Sequence, residues 1–328
     1  MRIFANANYN FIKWRWHALA ISTIITVAGI VTILVRGLPL GVDFSGGTVL
    51  TIRFTQPTNE DAVRRALGPL SNDAVVQTIG DPGQNEIMVR LPLRPGQEQG
   101  TSLDQDSKAV KDALLAANLS NEIRSTEIVG PAIGADLKRK GVLATLTALG
   151  GLLVYIAFRF RPSFGVGAIA ATFHDILITL VMLTWFGYDL SLNVIAAILT
   201  ITGYSVNDTI VVFDRVRENQ RIMRREPLDQ IVNKSVNQTL GRTVITSGMT
   251  FLAVIALYLF GGTVLRGLSF TLLVGIITGT YSTVFIAAAI AIVLSRRGPQ
   301  AGATAVAPAA AKAPSAAKAA SSPKAKRA

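Results

Sequence analysis

The stretch Leu190–Asn219 reads LSLNVIAAILTITGYSVNDTIVVFDRVREN. From Leu190 to Phe213 it holds a single Asp, Glu, Lys or Arg side chain, Asp208, and then charge returns abruptly with Asp214, Arg215 and Arg217. A membrane-crossing helix needs about 20 mostly apolar residues, so the stretch is long enough to span. A carboxylate at that depth costs about 2.5–3.5 kcal/mol on insertion scales. The same residues therefore set the fold class and mark a candidate site.

Working outward, segments 17–36, 132–158, 162–186, 235–260 and 264–295 repeat the apolar pattern. With 190–213 they predict a polytopic α-helical membrane protein of six transmembrane helices. The rest divides into an N-terminal segment 1–16, a soluble-looking domain 37–131, a basic loop 214–234 and a tail 296–328. Composition agrees: half of the 328 residues are hydrophobic and 16% are charged, against about 25% charged in soluble domains. That excludes a single-core cytosolic enzyme and a disordered protein. With no cysteine, disulfide scaffolds and thiolate chemistry are excluded too.

The formal net charge is +12, but seven basic and no acidic residues follow Leu294. Taking those seven from 32 leaves 25 basic against 20 acidic residues. The excess is local, which argues against a specific nucleic-acid binder and for charge sorting across a bilayer. Arg2, Lys13 and Arg15, then Arg159 and Arg161, then the basic loop, then Arg296 and Arg297 fall on one side; the opposite short loops carry only Arg266. Both termini are thus expected in the cytoplasm and 37–131 outside it. The first apolar run exceeds a signal-peptide core and lacks a small-x-small cleavage site, so it reads as an uncleaved anchor.

Between the first two spans, periods of two and of 3.6 alternate. Strands are expected at 49–54, 75–80, 86–91 and 122–129, and helices at 58–70 and 104–119. The order β-α-β-β-α-β is that of the ferredoxin-like split unit, giving one α+β exported domain. No catalytic or metal-ligand spacing occurs in it, and its carboxylates are expected at a solvated surface. Just beyond the first span lies Gly41-Val42-Asp43-Phe44-Ser45-Gly46-Gly47-Thr48. Asp43, Gly46 and Gly47 mark either a tight bend at the membrane surface or a hinge for the domain.

Three places put ionisable groups at bilayer depth: His174-Asp175, Asn207-Asp208 and Arg242. Counted from the first loop charges, at about 1.5 Å per residue, Asp208 lies about 9 Å in and Arg242 about 12 Å, a similar depth at which an Asp–Arg pair could form. Asp175, about 21 Å in, is expected beyond direct contact with them. Arg242 has a second reading, as a cytoplasmic-edge residue that snorkels to the interface. Polar stripes are expected at Thr172/Asp175/Thr179, Tyr204/Asp208, Gln238/Arg242/Thr246 and Thr271/Gly275/Thr278/Ser282, lining a partly hydrated interior. The proton affinity of a carboxylate in low dielectric depends on how far a guanidinium stands from it. A change in their separation therefore ties protonation to helix movement.

The motifs GVDFSGGT at 41–48, GYSVNDTIVVFDRVREN at 203–219 and NQTLGRT at 237–243 resemble those of the SecF family, the smaller subunit of the SecD–SecF protein-export factor of the RND superfamily. His174-Asp175 fits the same family, and the similarity covers about residues 9–297. The resemblance implies an accessory subunit of the Sec translocase in the bacterial inner membrane that uses the proton motive force, with no cofactor. Its implied partners are SecD, the SecYEG channel, YajC, the unfolded exported polypeptide and membrane lipids. It implies proton-pathway roles for Asp208 and Arg242, to which Asp175 is added here, with Asn207, His174, Tyr204, Gln238 and Thr239 as supporting polar groups. The tail is not part of the family core and reads as a disordered cationic extension. A half-size RND exporter of small molecules or lipids and an uncoupled channel scaffold are the alternatives.

Overall fold

The computed structural model describes residues 4, 7–72, 74–79, 83, 85–92, 101–119 and 121–297. The expected tail beyond residue 297 and most of the expected turn at 81–85 lie outside the described residues. Six helices are long and apolar enough to cross a membrane, among the described residues. They are built from α1 (Arg15–Arg36), α5 (Pro131–Arg159), α6 (Pro162–Phe186), α7 (Leu192–Ile222), α8 (Leu228–Phe260) and a last span of α9 (Gly262–Ser282) and α10 (Ala288–Arg297). A π-helical turn at Thr283–Ala287 joins those two segments.

Local chemistry sets the helix ends. Proline opens α5 and α6, where its missing N–H is not needed. Ser191 caps α7 by accepting from the Val194 N–H at 3.3 Å, and Gly187 ends α6 in the left-handed region. The stretch 214–234, expected as a basic loop, is mostly helical: α7 runs on to Ile222 and α8 begins at Leu228. Arg, Glu and Gln are good helix formers, and Arg215 pairs with Glu218 one turn on. Charge moved the helix out of the apolar layer without ending it.

Between α1 and α5 lie the short helix α2 (Val42–Ser45), β1 (Gly47–Phe54), α3 (Glu60–Leu67), β2 (Val75–Ile79), β3 (Glu86–Leu91), α4 (Thr101–Ala116) and β4 (Asn121–Val129). The sheet is antiparallel throughout, in the order β2-β3-β1-β4. Its register sets Leu50 opposite Val89 and Ile52 opposite Ile87. These four side chains, with Val63, Leu67, Val110 and Leu114 of α3 and α4, form the domain core. Asn59 accepts from the Ala62 N–H at 2.9 Å and caps α3. One carboxylate departs from the expected solvated surface: Asp106 of α4 is buried.

The domain rests on the turn between α6 and α7. Gly41 N–H donates to the Leu190 carbonyl at 2.8 Å and Leu190 N–H to the Pro39 carbonyl at 2.7 Å. Arg90 of β3 pairs with Asp189 at 3.1 Å and donates to the Leu40 carbonyl at 2.6 Å. Gln77 of β2 donates to the Gly187 carbonyl at 2.8 Å. A cavity of about 290 Å³ lies in this joint, lined by Val49, Thr51 and Met88 on the sheet side. That second covered face explains why β1 is buried along nearly all its length.

Candidate functional site

Asp175, on α6, is 2% exposed and Asp208, on α7, is 4% exposed. The Oδ2 of Asp175 accepts from Ser205 of α7 at 2.6 Å and from Ser282 of α9 at 2.8 Å. Its Oδ1 lies 3.1 Å from His174 Nδ1, and His174 Nε2 bonds to Ser22 of α1. Asp208 accepts from Ser247 of α8 at 3.3 Å. Thr280 of α9 and Tyr204 of α7 donate to the same Ser247 hydroxyl, at 3.2 and 3.4 Å. Ser205 and Asp208 stand one turn apart on α7, so the two clusters are neighbours.

Close helix packing assembles this. A Cβ on Gly279 would stand 2.9 Å from Ser205 Cβ, and one on Gly275 would collide with Ile201. The absent side chains let α9 approach α7 closely enough for Ser205 and Ser282 to reach one carboxylate oxygen. The π-turn follows Ser282 directly, and Thr209 and Thr283 bond there at 2.8 Å. Such turns inside α-helices are frequent at functional sites.

Several expectations need correction. Asp208 and Arg242 form no salt bridge: Arg242 lies on the exposed side of α8, within electrostatic reach of Asp208 but not bonded to it. The stripe Gln238/Arg242/Thr246 is exposed, and the inward polar face of α8 is Ser235, Thr239, Thr243 and Ser247, all buried. The two stripes share the same four-residue period, so spacing alone does not choose between them. Asn207 is exposed and joins neither cluster. Gln238 accepts from Arg215 at 2.7 Å and Asn219 at 2.8 Å, tying the ends of α7 and α8 together. The Thr239 hydroxyl returns to carbonyls of its own helix. Asp175 makes no direct contact with Asp208 or Arg242, as depth counting implied; its link to the Asp208 cluster runs through Ser205, one turn from Asp208 on α7.

Ser205, Ser247, Thr280 and Ser22 were missed as members of the site. Single hydroxyls are common in spanning helices and carry little signal. The small residues Gly275 and Gly279, four apart, were the available clue.

The glycine motif is packed. Asp43 accepts from the Leu192 N–H at 2.8 Å, capping α7 across the joint. Gly46 and Gly47 take φ of 69° and 124°, and a Cβ on Gly47 would strike the Leu91 carbonyl. This is a bend that ties β1, β3 and α7 together.

A family profile described as "Protein export membrane protein SecD/SecF, C-terminal" matches residues 109–297, and one described as "SecD/SecF GG Motif" matches residues 31–58. The chain belongs to the SecD/SecF protein-export family. Among its relatives, the protein translocase subunit SecF of Pseudomonas aeruginosa is 42% identical, over 85% of this chain and 89% of that one. The Escherichia coli O157:H7 subunit SecF is 40% identical over 88% of each chain. The crystal structure of SecDF, a translocon-associated membrane protein from Thermus, superposes with a TM-score of 0.79 at 36% identity. That match covers 90% of this chain and 40% of the SecDF chain. The glycine-motif match covers the bend at Gly46-Gly47, and the longer match spans both buried carboxylates.

Proposed function

We propose that this chain, a multi-pass accessory subunit of the Sec protein translocase, couples proton movement through Asp175 and Asp208 to the export of polypeptides. The observation that carries the reading is the chemistry around the two carboxylates. Both are buried in spanning helices and held by hydroxyls from neighbouring helices, with no arginine bonded to either among the described residues. A hydroxyl both donates and accepts, so it serves a carboxylate in either protonation state after a simple rotation. An arginine would hold the group charged. Because the hydroxyls come from α7, α8 and α9, a proton arriving or leaving changes the bonds between helices.

The joint supplies a route outward. α6 carries Asp175 and α7 carries Asp208, and the turn between them holds the α+β domain through Asp189 and Leu190. A shift of either helix is thereby passed to the domain. We read that domain as a ferredoxin-like exported module, on the support of its strand order and its β-α-β-β-α-β succession. The distribution of arginine supports an inner-membrane orientation with both termini in the cytoplasm.

Asn207 on α7 and Arg242 and Thr246 on α8 leave an exposed polar face within spanning segments. Lipid covers such groups at high cost, which supports a partner there. SecD is the proposed partner, on the support of a 37%-identical relative from Thermus thermophilus named SecDF, of which this chain matches 39%. SecYEG and the unfolded chain follow as partners of the assembled unit.

The test is Asp208→Asn in a strain lacking the native copy. The expected result is loss of gradient-dependent export of a secreted reporter, while the variant still co-purifies with SecD. Export at the wild-type level would leave an uncoupled scaffold as the reading.

A further inference from the structure

At the end of the bundle opposite the α+β domain, a cavity of about 850 Å³ opens between the α5–α6 connection and the α7–α8 connection. Its wall carries Arg159, Arg161, Arg217, Arg221 and Arg224, with Glu226 as the one acidic lining residue. Arg159 is neutralised by Asp214 at 2.5 Å and lies over the Phe160 ring, 5.3 Å from its centroid. Among the described residues, Arg161, Arg217, Arg221 and Arg224 have no carboxylate within ion-pair distance. Four exposed guanidiniums thus line one space in which Glu226 is the one acidic lining residue, an excess of positive charge. That arrangement repels itself unless an anion neutralises it.

We propose that this cavity binds the phosphate headgroup of an anionic phospholipid. Three observations select a lipid over other anions. First, depth: measured along α7 at about 1.5 Å per residue, Asp214 lies about 33 Å and Arg221 about 44 Å from Leu192. A bilayer has a hydrocarbon core of about 30 Å and a full thickness of about 40–45 Å, so these arginines stand in the headgroup layer. Second, the floor is aromatic: Phe213 packs edge-on against Phe160 and Phe164, with centroids 5.7 and 5.0 Å away, a surface suited to glycerol and the first acyl carbons. Third, Phe158, one residue before Arg159, is 89% exposed, as a side chain meeting acyl chains is. Arginine forks bind phosphate oxygens bidentately, and basic recesses between spans are known receptors for anionic headgroups. The site depends only on the chain being in a membrane, not on proton coupling.

The experiment is native mass spectrometry of the full-length chain, released from vesicles of phosphatidylcholine mixed with phosphatidylglycerol. The wild type is expected to retain phosphatidylglycerol in preference to phosphatidylcholine. R217A/R221A/R224A is expected to lose that preference by about tenfold, the scale of lost charge-assisted phosphate bonds. K312A/K318A/K324A, which removes the same charge from the tail, is expected to keep it. Equal loss in both variants, or no loss in the first, overturns the site, as does displacement of the lipid by excess inorganic phosphate. Retained lipid preference with release of a co-purified protein from R217A/R221A/R224A would make the cavity a protein-docking site and overturn the proposal. Should the alanine variant fail to fold, R217K/R221K/R224K decides: about a threefold drop supports the guanidinium fork, and an unchanged preference overturns it.

Discussion

The bundle interior and the joint beneath the α+β domain both bury acidic side chains, and they treat them in opposite ways. At the joint, Asp189 is paired with Arg90 at 3.1 Å and flanked by backbone hydrogen bonds across the Leu40–Leu190 bridge. In the interior, Asp175 and Asp208 meet hydroxyls and a histidine. A fixed ion pair holds two parts in register. Hydroxyl partners leave the charge of a carboxylate free to change. The molecule places the first arrangement where the domain is anchored and the second where helices meet.

The sharpest way to break this contrast is Asp175→Asn. The amide keeps a hydrogen-bonding group among Ser205 and Ser282 but carries no exchangeable charge. Gradient-dependent export is expected to fall by about tenfold or more, equivalent to about 1.4 kcal/mol of lost coupling, at unchanged membrane expression. Export at the wild-type rate would place Asp175 with Asp189 as a structural carboxylate.

Packing gives the next effect. Gly279→Leu forces α9 away from Ser205, and overpacking of this kind costs about 1–3 kcal/mol. The expected reading is a lower melting temperature of the purified chain in detergent. An unchanged melt would mean that the α7–α9 contact is not what assembles the Asp175 cluster.

At the joint, Arg90→Ala leaves Asp189 partly buried without its cation, a cost of about 1–2 kcal/mol once its residual exposure is allowed for. Hydrogen exchange at Gly187–Leu192 is expected to quicken while the interior helices keep their protection. The pH response has a definite sign. Burial raises the Asp189 pKa, and Arg90 partly offsets that rise; Glu127 is raised too, by burial and then by the Asp43 carboxylate. A carboxylate with a raised folded-state pKa contributes stability below its unfolded value and loses it as pH climbs through the folded value. The net contribution of these two carboxylates to the joint is therefore expected to be greatest in acid and to fall with rising pH, because burial outweighs the Arg90 pairing that forms as Asp189 ionises. Arg90→Ala, by removing the offset, moves that fall to higher pH. Exchange at Gly187–Leu192 that does not vary with pH would remove Asp189 from this account.

The smallest effect separates two residues of one inward stripe. The buried Thr243 hydroxyl has no hydrogen-bond partner among the described residues, whereas Ser247 links Asp208, Thr280 and Tyr204. Thr243→Val, which removes an unpaired buried hydroxyl, is expected to leave stability unchanged or raise it slightly, with export retained. Ser247→Ala is expected to impair gradient-dependent export. Equal behaviour of the two would show that the whole Ser/Thr face of α8 acts as packing.

How much was legible follows from the kind of signal. The apolar lengths of the spans and the alternation within 47–129 are local properties, written in consecutive residues, and the helices and strands follow them closely. Asp175 and Asp208 were legible because a charge within an apolar run is costly enough to need a reason. Arg242 is equally conspicuous, but whether it meets Asp208 is not legible, because residue counting measures depth and not the direction a helix face points. The basic run 214–234 reads as a loop by its polarity, yet arginine, glutamate and glutamine extend a helix in water as well as in lipid.

By itself, then, the amino-acid sequence determined the spans, the order of strands and helices between the first two, and which acids are buried at membrane depth. Those follow from transfer free energies and backbone periodicity, both of which act residue by residue. Only the tertiary structure decided that Ser205 and Ser282 converge on Asp175, that Ser247 rather than Arg242 bonds to Asp208, and that four arginines from two connections share one cavity. These depend on how helices far apart in the chain rotate and cross, and that is settled by close packing at small residues such as Gly275 and Gly279.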